Sequence, residues 1–135
     1  MAAPFLLDTG GVIDYDAIEL GEWALGTALV AAVTVGELAY GADVGDAAER
    51  ERRRARLRAV IRDYEVLPYG VEEAKFYGAL ATVVRSAGRD PRPRRLDLQI
   101  AATAAVARLP LLTTNPDDFR GVESLVDVVP VARGR

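Results

Sequence analysis

The sequence contains no cysteine and no histidine. The first absence excludes disulfides and thiolate catalysis. The two together exclude Ser-His-Asp and Cys-His nucleophile systems and nearly every zinc site, because zinc is held mainly by sulfur and imidazole nitrogen. Lysine occurs once, at Lys75, and aromatics make up only 7% of the chain, so little is available for stacking bases. Long apolar runs are missing too. The longest uncharged stretch, Trp23 to Gly36, has fourteen residues, short of the ~20 that span a bilayer. The apolar run Pro4 to Leu7 is short and has no basic segment before it, so no secretory signal and no membrane association are expected, and the cytosol is the expected compartment. What remains is a set of carboxylates, hydroxyls, amides and arginines. Its natural cofactor is a hard cation bound through oxygen.

The 135 residues fit one domain spanning 1–135. Half are hydrophobic and 27% are charged, enough for a core and too apolar for disorder. The net charge of −3 hides a strong asymmetry. Residues 1–48 carry eight acids and no base, residues 49–62 carry seven arginines against two glutamates, and the remainder carries ten of each sign. An acidic surface or site is therefore expected in the first third, with basic patches elsewhere.

Apolar runs alternate with helical patterns. Phe5 to Leu7 reads as a buried parallel strand that ends in the turn Asp8-Thr9-Gly10-Gly11. Ala28 to Val33 is a second strand. It leads into Thr34-Val35-Gly36-Glu37, a capping-box pattern that predicts a helix start. Asp46 to Tyr64 reads as a helix with Leu57, Val60, Ile61 and Tyr64 on one face. Glu65 to Tyr69 is a short strand. Val71 to Ala87 is a helix stopped by Gly88, and Arg89 to Arg95 a loop. Asp97 to Arg108 is an Ala-rich helix, Leu111 to Thr114 a strand, Asn115 to Phe119 a turn into a short helix, and Asp127 to Val131 a last strand. This order predicts an α/β layered fold with a mainly parallel central sheet flanked by helices. In such sheets ligands gather beyond the carboxyl ends of the strands.

Asp8, Glu37, Asp97 and the turn Asn115 to Asp118 all fall near such an edge. Each has an ordinary explanation taken singly. Asp8 suits a turn or helix cap, Glu37 closes a capping box with Thr34, and Asp97, Asp117 and Asp118 suit first helical turns. Taken together, carboxylates that converge repel one another and call for a cation.

The ordered set Phe-Leu-Leu-Asp8-Thr9, Val-Thr34-Val-Gly-Glu37-Leu, Asp97-Leu-Gln-Ile-Ala-Ala-Thr-Ala and Leu-Leu-Thr113-Thr-Asn115-Pro-Asp-Asp118-Phe119 resembles the PIN-domain nucleases, most of all the VapC toxins of type II toxin–antitoxin systems. The resemblance covers essentially the whole chain. It implies a PIN-like three-layer fold and an endoribonuclease dependent on Mg²⁺ or Mn²⁺. Asp8, Glu37 and Asp97 match the family's three main acids. The fourth acidic position falls on Asn115, which can coordinate through its carbonyl but adds no charge, with Asp117 or Asp118 as a partial substitute. Gly10 stands where a serine is often found. In this reading Asp8 and Asp97 are the principal metal ligands, and Glu37 ligates the metal or deprotonates the attacking water. Thr9, Thr113 and Asn115 orient these groups, and Phe119 belongs to the core.

For a polyanionic substrate the candidates are Arg89, Arg92, Arg94 and Arg95, just before Asp97, with Arg50, Arg54 and Arg58 as a second ridge. Both stretches read equally as solvated surface. The resemblance further implies a VapB-like antitoxin and a homodimer, forming a heterotetramer or larger assembly. Faces around Trp23, Tyr40, Tyr64 and Tyr77 are open to such contacts or to ordinary core packing. Other readings are a catalytically weak PIN-fold interaction protein or a PIN nuclease with a different nucleic-acid substrate. Leu-Asp8-Thr-Gly-Gly-Val is also similar to the first motif of haloacid-dehalogenase phosphatases. That chemistry needs a second aspartate where Gly10 stands and a lysine placed better than Lys75.

Overall fold

A computed structural model describes residues 3–134. The elements in chain order are β1 (Pro4–Leu7), α1 (Thr9–Ile13), β2 (Ile18–Glu19), β3 (Thr27–Ala31), α2 (Ala32–Gly41), α3 (Ala47–Asp63), β4 (Glu65–Leu67), α4 (Val71–Ser86), α5 (Arg95–Ala107), β5 (Leu111–Thr113), β6 (Val128–Pro130) and β7 (Ala132–Arg133). The main sheet has the order β4-β3-β1-β5-β6, and every pairing in it is parallel. The chain leaves β1 toward β3 and β4 on one side, then returns to build β5 and β6 on the other. The strand order thus reverses beside β1, which opens a crevice at the carboxyl ends of β1 and β5. This is the α/β arrangement, parallel sheet between helices, that the alternation of runs predicts.

Successive side chains of a strand point to opposite faces, and β1 shows why both faces must be covered. Leu6 packs with Leu80, Val84, Leu98 and Phe119 on the α4 and α5 side. Phe5 and Leu7 pack with Val12, Leu38 and Val60 on the α1, α2 and α3 side. Phe5, Leu6 and Leu7 are fully buried. On α5 the buried positions include Ala101, Ala102 and Ala104, whose small side chains fit a closely packed interior.

Local signals account for most boundaries. Asp46 caps α3 by accepting from the Glu49 backbone N–H at 2.8 Å. The Glu73 carboxylate accepts from the Gly70 N–H at 2.8 Å before α4. Gly88 adopts φ +83° after α4, as its position at the expected stop requires.

Several expectations change. The strand β3 ends at Ala31, and α2 begins at Ala32 rather than at Thr34. Thr34 is fully buried inside the first turn and caps nothing. Its apolar neighbours Ala32 and Val33 read as strand by composition, yet they already turn with the helix. The turn after Asp8 is a short helix, α1. Ile61 is 54% exposed, so the buried stripe of α3 is narrower than the spacing implies. The antiparallel ribbon of β2 and β7 has two residues per strand, too few for an alternating pattern.

Candidate active site

Asp8 follows β1 directly. It is 5% exposed, so its carboxylate must be satisfied within the protein. One oxygen accepts from the Gly11 backbone N–H at 2.7 Å and caps α1. The other accepts from the Thr113 hydroxyl at 2.5 Å, across from the end of β5. The same Thr113 oxygen accepts the Asn115 backbone N–H at 2.9 Å. A single hydroxyl thus ties the first strand to the turn after the fifth. Burial raises the Asp8 carboxyl above its usual range, and the Asp118 charge raises it further, against the lowering effect of these hydrogen bonds.

The Thr113 contact has a measurable consequence. In Thr113→Val the Asp8 oxygen and the Asn115 N–H both lose their partner at nearly unchanged volume. Thermal or urea unfolding should show a loss of about 1–3 kcal/mol.

Glu37 lies on α2, one turn beyond Thr34. The Thr9 hydroxyl donates to Glu37 Oε1 at 2.8 Å and lies 3.0 Å from the Thr34 hydroxyl. A hydroxyl has one hydrogen. Since that of Thr9 goes to the carboxylate, Thr34 must donate to Thr9. The chain Thr34 to Thr9 to Glu37 therefore has one direction, and it aims the glutamate. Thr34, which the capping-box pattern places at the helix start, lies inside α2. Its spacing of three from Glu37 on a helix was the available signal.

Asp97 enters from the first turn of α5. Its carboxyl is pushed up to about 6, first by burial and then by Asp118, Glu37 and Asp8 in that order. Arg94 opposes the shift only weakly. Four carboxylates from four parts of the chain thus sense one another at one sheet edge. They do not close up: among the described residues no three acidic groups stand in an arrangement that would hold one ion.

The turn Pro116–Phe119 divides the remaining candidates. Asp118 acts on Asp8 and Asp97. Asp117 is turned outward and pairs with Arg120 at 2.8 Å. Phe119 is fully buried beneath the turn, where the sequence places it. Asn115 is exposed. A Cβ added to Gly10 would lie 3.9 Å from both Asn115 Nδ2 and Asp8 Oδ1, so Gly10 leaves room directly beside these groups.

The basic loop is neutralised only at Arg92. Arg92 binds Asp90 through both its Nε and its Nη2. Arg94 donates to the Arg120 carbonyl at 3.3 Å. Arg89 lines a separate cleft with Arg85 and Asp90. Of the four arginines expected to meet substrate, Arg95 shares a cleft with Glu37 and Asp97, and Arg92 reaches its rim. The ridge on α3 fares similarly: Arg54 pairs with Asp43 and Arg58 with Glu51.

The aromatic residues also separate. Trp23 stands edge-on to Phe5 with ring centroids 5.9 Å apart, and Tyr64 edge-on to Tyr15 at 6.2 Å. Tyr77 packs against the core. Tyr40 is 79% exposed and borders an apolar cleft that also contains Leu96 and Glu37. No helix is long and apolar enough to cross a membrane among the described residues.

Residues 7–125 match the family model described as the PIN domain. Among solved structures, the chain is similar to VapBC-5, a toxin–antitoxin system from Mycobacterium tuberculosis. The identity is 29% and the TM-score 0.74, over 96% of this chain and 98% of that one. It shares its fold with DNA-bound VapBC from Salmonella typhimurium, at 23% identity and TM-score 0.74 over 96% and 98% of the two chains. It also shares it with FitAcB from Neisseria gonorrhoeae, at 23% identity and TM-score 0.73 over 92% and 95%. No curated protein matches the sequence.

Proposed function

The chain belongs to the PIN-domain family, and from that membership we propose that it is a divalent-metal-dependent endoribonuclease, the toxin of a VapBC-type pair. The observation that carries the reading is that Glu37 and Asp97 line one cleft at the sheet edge where Asp8 and Asp118 also act on Asp97, whose carboxyl is raised by burial and by these three charges. So costly a gathering of negative charge is stabilised by a cation.

The donor set fits Mg²⁺ or Mn²⁺ and no soft metal, because it consists of carboxylate, hydroxyl and amide oxygens. Mg²⁺ commonly takes one or two carboxylates and keeps several waters, so carboxylates that stand apart suffice. Asp8 and Asp97 are the ligands in this reading, with Asp118 and Glu37 adding charge. When bound, the metal supplies a water of lowered pKa and polarises the scissile phosphate.

The protein's own groups do the rest. Thr113 and the Gly11 N–H fix both Asp8 oxygens while each keeps a lone pair. Thr9 occupies Glu37 Oε1, which leaves Oε2 to accept the proton of the attacking water. Asn115 Nδ2 and the space over Gly10 receive a phosphate oxygen.

A VapB-like antitoxin is the partner this reading calls for, with a toxin homodimer in the assembly. Tyr40 and Leu96 provide apolar surface beside the acids for such a contact.

The test is cleavage of RNA by purified protein with Mg²⁺ or Mn²⁺, lost in Asp8→Asn. Either ion should also raise the melting temperature of the wild type in the absence of RNA. Cleavage that survives in Asp8→Asn would sink the assignment, and so would a melting temperature indifferent to both ions.

A further inference from the structure

Glu37 is the common wall of two basic clefts. On one side a cavity of about 190 Å³ is lined by Thr9, Glu37, Arg53 and Arg56. On the other a cleft of about 310 Å³ is lined by Glu37, Asp97, Arg92 and Arg95. Their arginines are not equivalent. Arg53 donates to the carbonyls of Gly41 and Val44, at 3.2 and 2.6 Å, and pairs with Glu49. It locks the end of α2 to α3. Arg92 is held by Asp90. Arg56 and Arg95 are exposed. Neither makes an ion pair or a side-chain hydrogen bond among the described residues.

An unpaired guanidinium keeps all five donors for an incoming anion. Two of them flank a row of carboxylates that would otherwise repel a polyanion. We propose that Arg56 and Arg95 bracket the acidic centre and grip phosphates of a single RNA strand on opposite sides of the scissile bond, so that the strand crosses over Glu37. The inference rests on the nuclease reading and specifies how that site takes its substrate. A single strand is the form the geometry favours, because the flanking clefts are small, about 190 and 310 Å³, and the grips lie on different elements, the middle of α3 and the start of α5. The bases of the strand are left free. Selectivity then comes from the path of the backbone and from bases that reach the Tyr40 cleft.

The experiment compares Arg56→Ala, Arg95→Ala and the double variant with Arg108→Ala. Arg108 ends α5, far along the helix from Asp97, and its loss changes net charge equally. Steady-state cleavage of a short single-stranded RNA is measured at several salt concentrations, and thermal melting checks the fold of each variant. Binding of the same RNA is measured separately in Asp97→Asn protein. Each bracketing variant should raise KM and weaken binding several-fold with kcat little changed. Its log affinity should fall less steeply with log salt, by about 0.7 per arginine lost. Arg56→Lys should recover much of the affinity. Equal effects in Arg108→Ala would reduce the result to net charge and overturn the proposal. So would a fall in kcat at constant KM, which would place the arginines at the reacting atoms, or wild-type behaviour in all variants. Wild-type protein that neither binds nor cuts RNA would instead remove the nuclease reading itself.

Discussion

Asp97→Asn should abolish cleavage and at the same time make the metal-free protein more stable. The first effect follows from removing one of the two proposed metal ligands. Losing even an outer-sphere partner of a metal typically costs 10- to 100-fold, so a direct ligand should cost more than about 100-fold. The second follows from the displaced carboxyl. Its folded value, about 6, lies above the ordinary 3.8, so the native state holds the proton more tightly than the unfolded chain. The charged form is therefore a liability above about pH 6, and it is relieved as pH falls from there toward 4. The full displacement would amount to about 3 kcal/mol for a dry group. Solvent screening of this half-exposed carboxylate brings the expected gain to about 1–2 kcal/mol. Urea unfolding without divalent ions, at pH 7.5 and pH 5, reads this directly. The wild type should gain stability at the lower pH, and Asp97→Asn should lose most of that dependence. Parallel curves for the two proteins would show that Asp97 carries no such repulsion.

Phe119→Ala should be the most damaging single change to the fold outside the sheet. The ring is fully buried in the cluster of Leu98, Leu111, Val122 and Val126. Truncating a buried phenylalanine costs about 3–5 kcal/mol, a large part of a small protein's stability. The same ring anchors the turn that carries Asn115 and Asp118. Activity at a temperature where the variant is still folded should therefore fall too, as Asp118 loses its place near Asp8 and Asp97. Leu125→Ala, at a side chain 44% exposed, should move stability by no more than about 0.5 kcal/mol. A Phe119→Ala variant that melts with the wild type would show that the turn is held by its backbone alone.

The sequence was most informative where one local rule suffices. Strand-end acids in a parallel sheet have to emerge at its carboxyl edge, so Asp8 and the turn after Leu112 were brought to one place by topology alone. Asp97 followed from its position at a helix start. Glu37 was legible as a candidate from its place near the sheet edge, but the ordinary role that the spacing offered it, closing a capping box, is not the one it has. Its partner is not the backbone of Thr34 but the hydroxyl of Thr9, twenty-eight residues earlier. The arginines were the least legible. A run of like charges predicts a patch, but Asp43 takes up Arg54 and Asp90 takes up Arg92, and only side-chain positions show which arginines remain unpaired. Arg56 was hidden for that reason among seven arginines of one helix.

The bond between Asp8 and Thr113 joins residues 105 positions apart. It sets an order of events during synthesis. The first acid is synthesised 105 positions before the Thr113 that completes its surroundings, and Leu6 and Leu7 pair with Leu111 and Leu112. Long-range pairings of this kind form late, after the loop between them has been closed. A nascent chain therefore carries the acids of the centre without being able to assemble them. A protein proposed to cut RNA would in this way gain its centre only once the segment carrying Thr113 has joined the fold.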